Sequence, residues 1–192
     1  MSKKKWERHN LPPLEKRILL HLIEEGPQTI NEAATGVSSS YHPSWIALNS
    51  LKEKALVEET ATKTWRGRDY PQFWLTERGV IQALIEGVSS YELLRKVREI
   101  HPENQILQCL LEIAPKLNLD IFRVGQSAIK NKGKVGVIDL AKMLFYGLQR
   151  DFTIETYSEI LEILKKYPDI YDLMKERIEK MSNFLYKLKE IV

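Results

Sequence analysis

Two arginines and a tryptophan cluster in the segment Trp65-Arg66-Gly67-Arg68, between two stretches that read as strands. A turn needs a residue such as Gly67 to reverse the chain, but it does not need cations around it. Guanidinium groups pair with phosphates and fit a narrow minor groove, where negative potential is concentrated. We therefore predict that Arg66 and Arg68, with nearby Lys63, contact a nucleic acid. The alternatives are ordinary exposed charge for the arginines and packing within the hairpin for Trp65.

A second group of candidate residues lies on a predicted helix that follows several serines and ends near Lys54. Its apolar residues Leu48 and Leu51 share one face, so the opposite face is left for recognition. An α-helix fits the major groove, where Asn49 can pair with adenine, and helix N-terminal amides suit phosphate. The residues predicted to contact DNA here are Ser39, Ser40, Tyr41, His42, Ile46, Asn49 and Ser50. The alternative is that the serines only cap the helix and Asn49 is solvated.

Four predicted helices and one hairpin position these candidates along the first half of the chain. The segment "LEKRILLHLIEE" repeats apolar residues at helical spacing, and Gly26 is predicted to end this helix. Thr29 and Glu32 have the spacing of a capping box, which predicts a short second helix that Gly36 ends. After the third helix, "LVEETATKTW" and "YPQFWLT" are predicted to be extended, and Thr76 is predicted to cap a fourth helix.

Two segments resemble parts of a known family. The stretch "SLKEKALVEE" is similar to the end of a recognition helix that runs into the first strand of a wing, with Ala55 where a turn glycine is usual. The stretch "FWLTERG" is similar to the second wing strand and the helix start after it. In this order, residues 12–88 resemble the winged helix-turn-helix domains of MarR-like and PadR-like transcriptional regulators. The resemblance implies that the third helix reads the major groove of double-stranded DNA while the wing contacts the backbone or the minor groove.

The second half of the chain is predicted to be helical throughout. Helical patterns cover residues 90–100, 103–114, 119–131, 135–149, 154–166 and 169–192. The last pattern carries an apolar 3,4 repeat that is predicted to form a homodimer interface. Its residues are Tyr171, Met174, Ile178, Met181, Leu185 and Leu188. Because the stripe is broad, packing within the chain is the alternative. Apolar residues such as Phe122, Met143, Leu144, Phe145 and Tyr146 could line a cavity for a small-molecule effector, although core packing explains them more simply.

Composition limits the class of protein. Hydrophobic residues make up 43% of the 192 residues, which allows a packed core, and no run reaches the roughly 18 uncharged apolar residues of a membrane span. The single cysteine, Cys109, excludes an internal disulfide and favours a reducing, cytoplasmic setting. Residues 1–88 carry 12 Lys and Arg against 11 Asp and Glu, so the placement of charge must decide any case for nucleic acid. The abundance of Lys, Glu and Ile is typical of an archaeal or thermophilic source.

No motif in the sequence supports catalysis, a cofactor or a metal ion. The four histidines are scattered and lack the spacing of paired metal ligands; they are His9, His21, His42 and His101. The segment around Gly133-Lys134 lacks the earlier glycine and the Ser or Thr of a phosphate-binding loop. We therefore expect a protein that is not an enzyme.

These patterns predict a mainly α chain with a small β-hairpin wing, a winged helix-turn-helix followed by an all-α helical domain. Its parts are a basic N-terminal tail (1–11), a winged helix DNA-binding domain (12–88) and a helical domain for dimerisation or sensing (89–192). The predicted function is sequence-specific, DNA-binding transcriptional regulation by a homodimer. The alternative is a winged-helix protein-protein interaction adaptor without DNA binding, with Trp45 and Ile46 as contact residues.

Charge placement separates these two functions. In a DNA reader, Lys63, Arg66 and Arg68 should form one positive ridge with the outer face of the third helix. In an adaptor, glutamates would interrupt that face and leave it mixed in charge. The glutamates concerned are Glu53, Glu58 and Glu59.

Overall fold

The computed structural model describes residues 11–118, 120–123, 134–150 and 153–176, without the side chains of residues 137 and 145–150. This part of the chain is mainly helical, with one two-stranded antiparallel sheet. Its contacts divide it into two compact units. The first contains the described residues up to Ser89 together with Lys134, and the second contains the others from Ser90 onward. None of the described helices is both long enough and apolar enough to cross a membrane.

The first unit consists of three helices, a hairpin and a fourth helix, in the order that the sequence predicts. The elements are α1 (Pro13–Glu25), α2 (Ile30–Gly36), α3 (Tyr41–Glu53), β1 (Val57–Trp65), β2 (Arg68–Leu75) and α4 (Glu77–Ile85). Pro13 opens α1, where a missing backbone N–H costs nothing, and Gly26 ends it with a φ of 90°.

The core of the first unit lies where α1 packs on α3 and where the base of the hairpin meets both. The fully buried large side chains there include Ile18, Leu19, Leu22, Leu48, Leu51, Trp74, Leu75 and Ile81. Removing such apolar surface from water is the main term that stabilises the fold. Because Leu48 and Leu51 face this core as predicted, the opposite side of α3 is left at the surface.

The capping box predicted for α2 is confirmed. Oε2 of Glu32 accepts hydrogen bonds of 2.9 Å from both the backbone N and Oγ1 of Thr29, and the Glu32 backbone N donates to Oγ1 of Thr29. Gly36 ends the helix, but the left-handed residue of the turn is Ser38, with a φ of 49°. Gly36 also lies close to another helix: a Cβ there would lie 2.1 Å from Cε1 and Nε2 of the His21 side chain.

The turn from α3 into β1 explains the position of Ala55. The Leu56 N–H donates to the Leu51 carbonyl and the Ala55 N–H to the Lys52 carbonyl, both at 2.9 Å, which is the Schellman pattern. This pattern places Ala55 in the left-handed region, with a φ of 54°. Glycine usually occupies this position because a Cβ is unfavourable there. Ala55 therefore adopts the backbone conformation that glycine usually has at this position.

Thr76 caps α4, as predicted, and also ties this helix to the α3–β1 turn. Its Oγ1 accepts a hydrogen bond of 3.0 Å from the Gly79 backbone N and donates one of 2.7 Å to the Ala55 carbonyl. Its backbone N donates to the Leu56 carbonyl at 3.1 Å. The "LTERG" segment is thus held by three hydrogen bonds around one buried threonine.

The second unit is helical, and its described residues contain no strand, in agreement with the prediction. Its elements are α5 (Ser90–Ile100), α6 (Gln105–Ile113), a 3₁₀ turn (Ala114–Lys116), α7 (Val137–Arg150) and α8 (Ile154–Leu164). Residues 120–123 and 168–176 are also helical. The helix α6 packs on α5, α7 and α8, so it is the centre of this unit.

A carboxylate of α6 joins three donors of the second unit. Oε1 of Glu112 accepts from Arg98 at 2.6 Å and from the Tyr167 hydroxyl at 2.9 Å, and its Oε2 accepts from Lys166 at 3.0 Å. Burial opposes ionisation of Glu112, but these hydrogen bonds and charges together lower its pKa below the usual value. Burial and the hydrogen bond to Glu112 raise the pKa of Tyr167 to about 12.

Candidate nucleic-acid interface

The hairpin reverses through a two-residue turn that places both candidate arginines at its tip. Trp65 pairs with Arg68, and the two turn residues between them, Arg66 and Gly67, have φ values of 49° and 73°. Positive φ at both positions is the type I′ turn, whose twist matches that of paired strands. Asparagine or glycine would occupy the Arg66 position at lower steric cost. The chain thus carries the long, positively charged side chain of Arg66 at an exposed position with an unfavourable backbone conformation.

Arg66 and Trp65 stack on each other. Cζ of Arg66 lies 4.4 Å from the centroid of the indole ring, and Trp65 is still 55% exposed. Neither Arg66 nor Arg68 forms an ion pair with a residue that the structure describes, and the neighbouring Asp69 accepts a hydrogen bond of 2.6 Å from Thr64. The tip therefore presents two unneutralised guanidinium groups, one of them lying over an aromatic ring.

Lys63 is not a free cation. The expected positive ridge of Lys63, Arg66 and Arg68 therefore loses one of its charges. Its ammonium group forms an ion pair with Oε1 of Glu32, the capping-box residue of α2. Burial of Glu32 favours its neutral form, but the hydrogen bonds from Lys63 and Thr29 outweigh this effect and lower its pKa. The pair links the hairpin to α2 and neutralises one charge of the predicted contact set.

The surface of α3 opposite the core carries several of the predicted contact residues. His42 is exposed, Ile46 is 51% exposed and Asn49 is half-buried. Trp45 is also exposed, and its ring stacks on that of His42 with 6.2 Å between centroids and an angle of 12° between planes. The outer face of α3 is therefore largely aromatic and apolar, with few charges.

Ser50 does not point outward as predicted. Its hydroxyl donates a hydrogen bond of 2.8 Å to Oε1 of Glu15 in α1, and Lys54 pairs with Oε2 of the same carboxylate. Glu15 is only 6% exposed, and a buried carboxylate needs such partners. Helical spacing alone did not reveal this because Glu15 lies 35 residues earlier in the chain.

The N-terminus of α3 presents the three remaining predicted residues. Ser40 occupies the N-cap position but makes no side-chain capping hydrogen bond, and its side chain is exposed. Ser39 is half-buried, and Tyr41 is 51% exposed. Ser40 therefore does not cap this helix with its hydroxyl, which was the alternative considered for the serines. The side chain of Ser40 is exposed at this end of the helix, where a phosphate could reach it.

Charge near the C-terminal end of α3 is mixed. Lys52 pairs with Glu59 at 2.5 Å, and Lys54 is occupied by the buried Glu15. Glu53 and Glu58 are exposed. These two cations are thus balanced by carboxylates, and the hairpin's cations without an ion pair among the described residues, Arg66 and Arg68, lie at its tip.

A cavity of about 290 Å³ lies between the start of α2 and the hairpin. Its lining combines two aromatic rings with polar groups: Thr29, Asn31, Glu32, Lys63, Trp65 and Tyr70. Lys63 and Tyr70 are directly paired across the hairpin. Sequence reasoning missed this cavity because its lining residues are distant along the chain, with Glu32 and Lys63 separated by 31 positions.

Among the residues that the structure describes, one group of side chains has the chemistry of metal ligands. His21, Glu24 and Glu25 each bring one ligand atom to within 4.8 Å of the others. The i, i+3, i+4 spacing on one helix produces this arrangement, and it was overlooked because only pairs of histidines were considered. Exposed carboxylates of this kind commonly lie together without an ion, so the geometry alone assigns no metal.

The predicted dimer stripe is only partly described. Tyr171 is half-buried and Met174 is 5% exposed within the single chain. The other predicted residues, Ile178, Met181, Leu185 and Leu188, lie outside the described residues. Packing within the chain therefore accounts for Met174, and a subunit interface stays a prediction for the rest.

The residues considered for an effector cavity are buried where they are described. Phe122, Met143 and Leu144 are between 1% and 4% exposed. The side chains of Phe145 and Tyr146 lie outside the description.

No protein-family model, curated protein or solved structure matches this chain. Its function is therefore inferred from the residues of α3 and the hairpin themselves.

Proposed function

We propose that this chain is a sequence-specific, DNA-binding transcriptional regulator. Residues 12–88 act as a winged helix-turn-helix domain, in which α3 enters the major groove and the hairpin contacts the backbone or the minor groove. The observation that carries this proposal is the pair Arg66 and Arg68. Both are exposed at a hairpin tip and have no ion-pair partner among the described residues.

The hairpin supplies the sequence-independent part of the binding. A guanidinium that already has a carboxylate partner must lose it before binding phosphate, whereas Arg66 and Arg68 need not. Stacking on Trp65 also restricts the Arg66 side chain before DNA arrives, which lowers the entropy lost on binding. In this role Lys63 orients the hairpin through Glu32 and is not a primary contact.

The helix α3 supplies the sequence-dependent part. Asn49 offers both a donor and an acceptor to an adenine edge, His42 offers a ring nitrogen, and Ile46 can contact a thymine methyl group. Ser40 and the first amides of α3 suit a phosphate that fixes the register. Ser50 is not among the proposed DNA contacts, because its hydroxyl donates a hydrogen bond to Glu15.

A few phosphate contacts per chain bind DNA only weakly, so the proposal includes a homodimer that doubles them and sets a half-site spacing. The second unit would dimerise or sense a small-molecule effector, and the protein would act in the cytoplasm. These parts of the proposal depend on the DNA binding of the first unit.

Selection from a pool of randomised duplexes tests the sequence-specific part. We expect the purified chain to enrich a common sequence over several rounds. The His42→Ala/Asn49→Ala variant should still bind but should lose preference at one or two base pairs, since each good bidentate contact discriminates by about 1–3 kcal/mol. Enrichment of no sequence by the folded wild-type protein would contradict the proposal.

A second candidate function is favoured by the composition of the α3 surface. Tyr41, Trp45 and Ile46 are 51%, 44% and 51% exposed, and the neighbouring Glu53 and Glu58 are exposed carboxylates. An apolar patch with a mixed charged rim is typical of a protein interface. In that case α3 would bind a protein partner, and Trp45→Ala would weaken partner binding with little dependence on salt.

A further inference from the structure

We propose that the cavity between α2 and the hairpin binds one unpaired nucleotide of a DNA strand, an inference that rests on the proposed DNA binding. The cavity measures about 290 Å³, which is at the small end of the range for ligand sites. A single nucleobase is therefore a better match than a larger ligand. Trp65, which lines the cavity, precedes Arg66 in the chain and pairs with Arg68, and we assign both arginines to phosphate contact.

Aromatic and basic side chains alternate on the face of the hairpin that borders the cavity. Lys63 is paired with Tyr70, and Trp65 is paired with Arg68. Residues directly opposite in an antiparallel pair project from the same face, and so do residues two apart on one strand. All four side chains therefore share one face. Because Glu32 neutralises Lys63, Arg68 is the cation of this face that has no ion pair among the described residues. Aromatic rings beside such a cation suit an unpaired nucleotide, because every base can stack on a ring.

The stacking position for a base is next to Trp65. The guanidinium of Arg66 covers one face of the indole, so a base entering the cavity would stack against the other face or against Tyr70. Alanine substitution at such stacking positions costs about 1–3 kcal/mol per base, or about fivefold to 150-fold in affinity. Stacking thus gives the cavity a substantial preference for a base that is already unpaired.

The polar lining suits the edge and the phosphate of a nucleotide. Asn31 offers amide donor and acceptor groups for a base edge, and its side chain is exposed on α2. The carboxylate of Glu32 would repel phosphate, but Lys63 and Thr29 already satisfy it. Arg68 then provides a cation for the phosphate that follows the stacked base.

The nucleotide is expected to come from a strand end or another unpaired site. Extracting a base from an intact duplex costs a few kcal/mol of stacking and pairing, whereas an overhanging base requires no such step. The chain should consequently prefer DNA with a single-stranded overhang over the same duplex with blunt ends. A free mononucleotide has the same stacking chemistry and is the other possible source.

Three ligands separate these possibilities in a fluorescence anisotropy experiment at one fixed salt concentration. They are a blunt duplex, the same duplex with a three-nucleotide overhang, and deoxyadenosine monophosphate as a competitor. We expect the overhang to bind about tenfold more tightly than the blunt duplex. The variants Tyr70→Ala and Asn31→Ala should lose most of this gain while binding the blunt duplex within about twofold of wild type.

Matched controls keep the experiment interpretable. Tyr91→Ala removes an aromatic residue that is 77% exposed in the second unit and should keep the full overhang gain. Because Asn31 is exposed, the Asn31→Ala variant should fold normally even if Tyr70→Ala does not.

The possible failures are distinguishable. If the wild type binds the blunt duplex, the overhang adds nothing and the mononucleotide does not compete, the nucleotide site is wrong and the proposed DNA binding stands. If neither duplex binds at low salt, both are wrong. If the mononucleotide binds but the overhang gives no gain, the proposal that a DNA strand supplies the nucleotide is wrong.

Discussion

The carbonyl oxygen of Leu56 lies only 1.9 Å from where a Cβ on Gly79 would be. This oxygen cannot move freely, because it accepts a hydrogen bond of 3.1 Å from the Thr76 backbone N. The first turn of α4 therefore packs directly against the backbone that leads from α3 into β1. This close approach requires glycine at position 79, the last residue of "LTERG".

Replacing Gly79 by alanine should destabilise the first unit by at least about 2 kcal/mol, because backbone atoms must separate to admit the methyl group. Urea unfolding followed by circular dichroism measures the change. Gly36→Ala is the matched control, since its Cβ would meet the half-buried ring of His21, which can rotate away. Equal losses in the two variants would contradict the assigned backbone contact.

Replacing Ala55 by glycine should stabilise the protein by about 0.5–1 kcal/mol. Ala55 has a φ of 54°, and glycine adopts this region without the steric cost of a Cβ. The measurement is the midpoint of thermal or urea unfolding. Ala47→Gly is the control, because Ala47 lies inside α3 and should lose about 1 kcal/mol or more there. Destabilisation by Ala55→Gly would argue against the Schellman turn.

The ion pair between Glu32 and Lys63 should make stability depend on acidity. The pKa of Glu32 is lowered in the folded protein from a reference value of 4.5, so its stabilising effect is complete above that pH and is lost as the pH falls through the lowered pKa. Glu32→Gln should therefore be less stable than wild type at pH 7, and the difference should shrink below pH 4.5. Unfolding free energies measured across this range test the sign. A difference that does not change with pH would contradict the pairing.

Cys109 should be chemically inert in the folded protein. Its side chain is fully buried, and burial together with the nearby Glu112 raises its thiol pKa to about 12. Ellman's reagent at pH 8 should react with this single thiol only as fast as the second unit unfolds, and at once in denaturant. Rapid reaction under native conditions would place the thiol at the surface.

Local patterns in the sequence predicted the elements that depend on nearby residues. Thr29 and Thr76 were identified as caps because a cap and its partner are three residues apart, and Gly26 as a terminator because the turn requires its conformation. The core face of α3 followed from the spacing of Leu48 and Leu51. Each of these features depends on residues that lie close together in the sequence.

Features that depend on distant partners could not be read in this way. Ser50 has suitable helical spacing for an outward position, but a buried carboxylate in α1 attracts its hydroxyl. Lys63 is basic in sequence, yet the capping residue of α2 neutralises it. The backbone contact that requires Gly79 could not be predicted either, since Leu56 lies in the turn between α3 and β1. The sequence therefore predicts on which elements these side chains lie, but not which of them are engaged by partners from other elements.

The most direct test of the proposed function is the salt dependence of DNA binding by wild type and by Arg66→Ala/Arg68→Ala. Each phosphate contact adds about 0.9 to the slope of log affinity against log salt, so losing two contacts should lower the slope by about 1.8 per chain. Arg95→Ala/Lys175→Ala removes two exposed cations of the second unit and should keep the wild-type slope. A weaker variant with the shallower slope is the predicted result. An unchanged slope, or no binding by the wild type at low salt, would contradict the assignment of the hairpin tip to DNA.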